Sequence, residues 1–546
     1  MRKKKVLFFT EATYLNTGYA VYGKEIIPRL LDLGHDVAEY SIYGAEEDPR
    51  RKSIPWKNYP VAVSPSDTDE AKQFYSSNPV NQFGAWRFER AALDFKPDCV
   101  IDQRDPWMCS FVRHSPFRKL FSWAWMATVD AMPQNSEWID HFASTDYFLT
   151  LTDWAGNLVK EQGGHKVNYW GAAPPGTSPE FRPLPKTAHR ISMGINPEWK
   201  IIGTVMRNQR RKLFPELFES FSKYIHENDE KDTYLYCHTS YPDNGWDIPL
   251  LLKNNNISSR VLFTYCCESC KDVSIGKFSD SLRQCKKCRE FSCKPSNVTT
   301  GVSTKQLADI YNLFDLYYQC ANSEGLGFSQ PEAAACGVPV MSTDYSAMSD
   351  VVRKLKGYPV PLKCKTLEME TGCYRAIPDI DAAVDYFKHF FSLSGEDRDI
   401  LSSEARKSCL AEFDWDKASE NWSRVINDCS YGKWDSPIRQ VGQVPDMPKF
   451  VNNKQFLDWS IDTYIPYSDA KNSFESSCLL RDLNFKTFKN NSCGYFYSEM
   501  SYFNREQSQP FSKEHVTRML EGKKKSFNFW ESARQNPSLL KDESWL

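Results

Sequence analysis

The chain has 546 residues, 41% hydrophobic and 25% charged, with a formal net charge of −2. That length exceeds a single core and implies about two to four domains, and the near-neutral charge excludes a global drive toward nucleic acid or membrane. No apolar run approaches the roughly 18 residues that cross a bilayer, and the short run Val6-Leu7-Phe8-Phe9, stopped by Glu11, is too brief for a signal peptide, so a cytoplasmic location is expected.

In chain order, residues 6–10 read as a strand, 19–33 as a helix stopped by Gly34, and 36–42 as a strand. Residues 86–95 read as a helix, and 98–102, 121–129 and 147–152 as strands. The Pro-rich stretch 174–185 interrupts this rhythm. A second alternation follows: strand 200–206, helix 214–226, strands 233–238 and 260–264, helix 303–314, strand 315–320, helix 331–336 and strand 338–342, with helices from 379 and a long one over 418–428. Such alternation predicts parallel sheets covered by helices. The expected fold class is α/β, with two facing Rossmann-like domains, 1–185 and 186–430, an insertion at 265–296, and a C-terminal extension at 431–546 without βα rhythm. Ligands in such sheets bind at the carboxyl ends of the strands, so a cleft between the domains is the expected site.

The stretch carrying most chemistry is 323–332, SEGLGFSQPE, between a strand and a helix. Gly325 and Gly327 let the backbone approach a ligand, and a helix start suits a diphosphate. Glu324 is placed to accept hydrogen bonds from sugar hydroxyls, and Glu332 from a ribose. A second reading needs no ligand: Ser329-x-x-Glu332 fits a helix-capping box. The basic turn Arg207, Arg210, Arg211, Lys212 likewise reads either as a phosphate site or as a solvated turn.

Residues 324–332 resemble the E-x7-E signature of the retaining GT-B glycosyltransferases known as glycosyl transferases group 1. The flanking text is similar too: LADIYN at 307–312, EAAACGVPV at 332–340, and IIGTVMR at 201–207 with Lys212 five residues after Arg207. APPGT at 173–177, with Phe181 and Pro183, resembles the segment entering the family's donor domain, and Thr17-Gly18-Tyr19 its glycine loop under the donor phosphates. The resemblance implies sugar transfer from a nucleoside-diphosphate sugar with retained anomeric configuration and without a catalytic divalent metal. Arg207 and Lys212 would hold the diphosphate. Glu324 would orient the sugar and stabilise an oxocarbenium-like centre, with covalent nucleophile as a rival role. Gly18, Gly325, Leu326, Gly327, Phe328 and Glu332 complete the implied donor site. Where many relatives have a His, this chain has Thr128-Val129-Asp130, making Asp130 a candidate site carboxylate. Asp105 reads as a turn or cap residue, His35 as structural, and Asp379 as a helix cap rather than part of a metal-binding Asp-x-Asp.

Seventeen cysteines in a reducing compartment speak against a disulfide framework, and six crowd between Cys266 and Cys293. Cys267-x2-Cys270 and Cys285-x2-Cys288, fourteen residues apart, form a zinc-ribbon pattern. Four thiolates leave no open position, so the expected Zn2+ is structural; Cys266 and Cys293 leave the choice of ligands open. The insertion is rich in Lys and Arg and reads either as a staple for a long loop or as a grip for a polyanionic acceptor such as nucleic acid. Phage-encoded glycosyltransferases that decorate DNA bases offer a precedent, in which case the compartment is the host cytoplasm. A modified nucleic-acid base or a glycan is the expected acceptor; the competing expectation is a zinc-ribbon nucleic-acid binder on an inactive GT-B scaffold.

Overall fold

The computed structural model describes residues 2–115, 117–297 and 300–435. Beyond residue 435, the extension expected at 431–546 lies outside the described residues.

The first sheet holds β1 (Lys5–Glu11), β2 (Asp36–Ala45), β3 (Lys57–Ala62), β4 (Cys99–Asp102), β5 (Ser122–Met126), β6 (Tyr147–Thr150) and β7 (Tyr169–Ala172). Their order is β3-β2-β1-β4-β5-β6-β7, and every neighbouring pair is parallel. Helices cover both faces, so the central strands are buried throughout, and runs such as Val6-Leu7-Phe8-Phe9 need no polar alternation. β3 was not expected, since Pro60 and two polar residues blur its pattern; it sits at the sheet edge, where a proline is tolerated.

The second sheet holds β8 (Lys200–Val205), β9 (Thr233–His238), β10 (Val261–Cys267), β11 (Val273–Lys277), β12 (Arg283–Gln284), β13 (Phe291–Pro295), β14 (Leu316–Gln319), β15 (Val340–Thr343) and β16 (Tyr358–Val360). Its parallel core runs β10-β9-β8-β14-β15-β16. β10 does two jobs. Residues 261–263 pair with β9, while the same strand continues to Cys267 and pairs antiparallel with β11 and β13. The cysteine-rich insertion is thus continuous with the sheet rather than a loop appended after residue 264. A further hairpin, β17 (Leu362–Leu367) and β18 (Tyr374–Pro378), was also unforeseen.

The last helix, Trp415–Asp428, returns to the first sheet and packs on helix Gly18–Asp32. Trp422 is fully buried there and donates its indole N–H to Tyr22 Oη at 2.9 Å. His35, expected to be structural, pairs its Nε2 with Ser423 Oγ at 2.8 Å on this helix. Among the described residues no helix is long and apolar enough to cross a membrane.

Each sheet has one point where strand order reverses: between β1 and β4 in the first, and between β8 and β14 in the second. The crevice outside the strand ends opens at such points. The loops leaving β1, β4, β8 and β14 carry the chemistry described next.

Candidate functional site

The loops after β8 and β14 are stitched together. Leu213 N–H donates to Cys320 O at 3.0 Å, and Asn322 N–H donates to Arg211 O at 2.9 Å, so Lys212 bridges to Ala321. This registration delivers two cations to one carboxylate. Glu324, only 6% exposed, meets Lys212 Nζ directly and Arg211 Nη1 at 2.6 Å. Gln319 Nε2 donates to the same carboxylate at 3.3 Å. The backbone beneath is clamped: Glu324 N–H donates to Ser346 Oγ at 3.0 Å, and the Ser346 hydroxyl donates to Glu324 O at 3.1 Å. Burial, with Arg211 beside it, pulls the Lys212 ammonium well below its usual value.

Arg207 is held elsewhere. It forks onto Asp243, with Nε at 2.8 Å and Nη2 at 3.0 Å. Burial pushes the Asp243 carboxyl up, but Arg207, the Ser240 hydroxyl and the Asn244 N–H outweigh it and hold it at about 2. Glu324 therefore meets Lys212 together with Arg211, a residue that nothing in the sequence distinguishes from its neighbours in the basic turn.

The glycines are required by close approach. A Cβ on Gly325 would lie 2.3 Å from Thr128 Cγ2, on the loop after β5, and Gly327 has φ +82°. Gly18 faces the Phe328 ring, 3.6 Å from where its Cβ would stand, so these two expected site residues meet across the cleft. Leu326 is buried. The capping-box reading fails. Helix Ser329–Ala335 starts from Phe328 with no side-chain cap, and the Ser329 hydroxyl instead donates to Val205 O at 2.8 Å. Glu332 accepts the Tyr311 hydroxyl at 2.7 Å. Burial pushes its carboxyl up to about 7, against the pull of that hydrogen bond. Asp379 does cap, accepting Ala382 N–H at 3.0 Å, while Asp381 pairs with Lys223 on the surface.

On the first-sheet side Asp130 is not free. Arg375 of β18 reaches across to it at 2.9 Å and also contacts Glu368 at 2.6 Å and Ser323 Oγ at 2.5 Å. Asp105 sits at the expected N-cap position, but its side chain is used elsewhere. It precedes helix Pro106–His114 yet makes no capping bond; its carboxylate accepts the Tyr19 hydroxyl at 2.7 Å, and Tyr19 lies 2.7 Å from Thr128 Oγ1. Burial pushes Asp105 up to about 6; Tyr19 and Thr128 work against it, Asp130 adds repulsion, and Arg211 opposes that. Asp105, Asp130 and Arg211 thus share one electrostatic field with Glu324. The clue to Asp105 in the sequence was only its place after a strand.

The sulfurs of Cys267, Cys270, Cys285 and Cys288 all lie within 4.8 Å of one another. Cys267–Cys288 and Cys270–Cys285 stand 3.5 and 3.6 Å apart, close to the edge of about 3.8 Å for a tetrahedron of thiolates around zinc. The two knuckles match: Lys271 and Arg289, each just past the second cysteine, have φ of 60° and 66°, and donate to Cys267 O and Cys285 O at 3.0 Å. The Ser292 hydroxyl and Cys270 N–H at Cys267 Sγ favour a thiolate there. Cys266, the preceding residue of β10, points to the opposite face, and Cys293 packs cross-strand from Cys267 outside the group of four.

Several solved structures share this architecture over nearly their whole length. Sucrose-phosphate synthase from Thermosynechococcus elongatus matches with a TM-score of 0.57 at 14% identity, covering 78% of this chain and 98% of that one. A glycosyltransferase from Rickettsia africae matches at 0.55 and 13%, covering 79% and 99%. Anabaena HepE in complex with UDP and glucose matches at 0.53 and 10%, covering 78% and 99%. The fold is GT-B. Within it, residues 294–408 match the family described as Glycosyl transferases group 1. That segment contains Glu324 and Glu332 and begins in β13, so it leaves β8 with Arg211 and Lys212 outside. No curated protein matches this chain in sequence. The insertion carrying the four cysteines sits on the GT-B edge where the β8 and β14 loops also end.

Proposed function

We propose that the chain transfers a glycosyl group, hexose or pentose, from a nucleoside-diphosphate sugar to an acceptor hydroxyl with retained anomeric configuration. The observation carrying this reading is Glu324 held between Lys212 and Arg211 where strand order reverses. In the reaction the bond from the anomeric carbon to the phosphate oxygen breaks, and a bond from that carbon to the acceptor oxygen forms. The acceptor proton passes to the departing phosphate. Charge growing on the diphosphate needs prepositioned cations; Lys212 and Arg211 supply them, with Arg207 in reserve on Asp243. Donor phosphates take over the cations that Glu324 holds, and Glu324 is freed to bind sugar hydroxyls. The relative bound to UDP and glucose supports this donor class. Residues 1–185, together with the returning helix Trp415–Asp428, form the acceptor side, the rest of 186–430 the donor side, and 265–296 a ribbon whose four cysteines would hold structural Zn2+. The intact Glu324 cluster favours catalysis over an inactive scaffold.

The test is product analysis. The protein is offered a panel of sugar nucleotides with glycan and nucleic-acid acceptors, with mass spectrometry for the product and NMR for the anomeric proton. Transfer with retention, lost in Glu324→Ala, is expected. Inversion, no turnover with any donor, or turnover surviving Glu324→Ala would overturn the reading.

Two further outcomes are expected. A protonated Glu332 cannot accept two ribose hydroxyls, so kcat/KM for the donor falls as pH drops below about 7. Glu332→Gln removes that pH limb and costs roughly 10- to 100-fold in kcat/KM. Asp105, in contact with Tyr19, binds the acceptor hydroxyl. Asp105→Asn cuts transfer by roughly 10- to 100-fold while donor affinity by calorimetry stays unchanged; weakened donor affinity would place Asp105 on the donor instead.

A further inference from the structure

The outer hairpin of the ribbon, β12 and β13, has a surface that neither the donor site nor the metal explains. Between Leu282 and Lys294 the sequence places five cations against one acid, Glu290, in a chain whose net charge is −2. Lys294 pairs with Glu268 and Arg283 lies over the Tyr265 ring, which leaves Lys286, Lys287 and Arg289 at the tip. All three are exposed and form no ion pair among the described residues. A metal with four thiolates carries two negative charges, and nearby lysines offset them. That accounts for some of the cations but not for the apolar side chains among them. Phe291 is 66% exposed and Leu282 49% exposed, and Phe291 stands cross-strand from Gln284. An aromatic left in water beside unpaired cations matches a strand with phosphates on one side and open bases on the other.

The tip is also stiff. Lys286 and Lys287 lie between Cys285 and Cys288, and Arg289 N–H is tied to Cys285 O. The ribbon is anchored through β10, and the Ser296 hydroxyl donates to Thr239 O at 2.7 Å. It rises from the carboxyl-end edge of the sheet, the edge from which Lys212 and Glu324 project.

We propose that this hairpin binds single-stranded nucleic acid, with Lys286, Lys287 and Arg289 on phosphates and Phe291 stacked on a base. A duplex would offer the phosphates but keep its bases from Phe291. The surface is separate from the sugar-nucleotide site and stands whether or not the strand is the acceptor.

The experiment uses the full-length zinc-loaded chain and a fluorescently labelled 12-nucleotide oligothymidylate, followed by anisotropy over a series of salt concentrations. Duplex DNA of equal length and heparin serve as comparisons. Phe291→Ala is expected to weaken oligothymidylate binding roughly 10-fold with an unchanged salt slope. Replacing Lys286, Lys287 and Arg289 with Gln is expected to weaken it more than about 10-fold and flatten the salt slope by about 2. Zinc content, thermal midpoint and donor turnover of both variants should match the wild type, which separates loss of binding from loss of folding. Absence of wild-type binding, or variants that bind as the wild type does, would overturn the proposal. So would equal loss of heparin and oligothymidylate binding with no effect of Phe291→Ala, the behaviour of a plain polyanion surface. Failed donor turnover in a chain that still binds the oligonucleotide would count against sugar transfer and leave this inference intact.

Discussion

Glu324→Ala is expected to abolish transfer and to destabilise the fold at the same time. Loss of one prepositioned group at a charged transition state costs about 10²–10³-fold in rate; here the loss should be at the upper end, because Glu324 also governs Lys212. That lysine is 7% exposed, and Glu324 is its counter-charge. With the carboxylate gone, a buried ammonium faces only Arg211, which repels it. Breaking one half of a buried ion pair costs about 3–5 kcal/mol. Burial and Arg211 already pull Lys212 well below its usual value, so it escapes part of that cost by releasing its proton, and the diphosphate then loses a cation. Activity and stability can be separated. Glu324→Gln with Lys212→Met replaces the charged pair by groups of similar size, and should recover most of the stability in chemical denaturation while remaining inactive. If the double variant regained turnover, or Glu324→Ala unfolded at wild-type denaturant, the ion pair would not have the role assigned to it.

How far the sequence foretold this site depended on whether the determining interaction was local. β1, the helix after it, and β8 to β10 were legible because buried parallel strands are apolar runs and the helices between them repeat their apolar face. The Glu324 loop was legible because its spacing resembles a known family. The pairing of Glu324 with Arg211, and of Arg207 with Asp243, was not, since it depends on Asp243 lying in reach of Arg207 and on residues 211–213 bonding to 320–322. Ser329 and Glu332 have capping-box spacing, yet their partners are Val205 and Tyr311, both brought in by the fold. The partner of Asp105 is hidden in the sequence for the same reason, since Tyr19 lies 86 positions away. The β17–β18 hairpin escaped notice because most of its residues are exposed and its one decisive side chain, Arg375, acts across the cleft.

Removal of the metal is expected to act beyond the ribbon, because β10 belongs to both the ribbon and the sheet. Apart from cysteines, the ribbon strands past β10 bury almost nothing. So small a unit needs a metal in place of a core. Once its sulfurs are freed, β13 has little to hold it against Cys267, and Ser296, which follows it, loses its hold on the loop after β9. That loop currently takes Ser296 Oγ to Thr239 O and Tyr241 N–H to Ser296 O, and it carries Asp243, the anchor of Arg207. Indole Nε1 of Trp246 in the same loop donates to Lys212 O at 2.7 Å. A path of hydrogen bonds therefore leads from the ribbon through the loop after β9 to Arg207 and Lys212. Elemental analysis should find one zinc per wild-type chain and almost none in Cys285→Ser. The variant should melt roughly 5–10 °C lower, expose residues 268–295 to protease, and bind the donor roughly 10-fold more weakly. A strong chelator applied to the folded wild type, then zinc added back, should reproduce and reverse these changes without a mutation. Cys266→Ser should leave metal content unchanged, because that side chain faces away from the four sulfurs. A zinc-free chain with wild-type melting and donor affinity would show that β10 holds its register without the ribbon, and would confine the metal to the insertion alone.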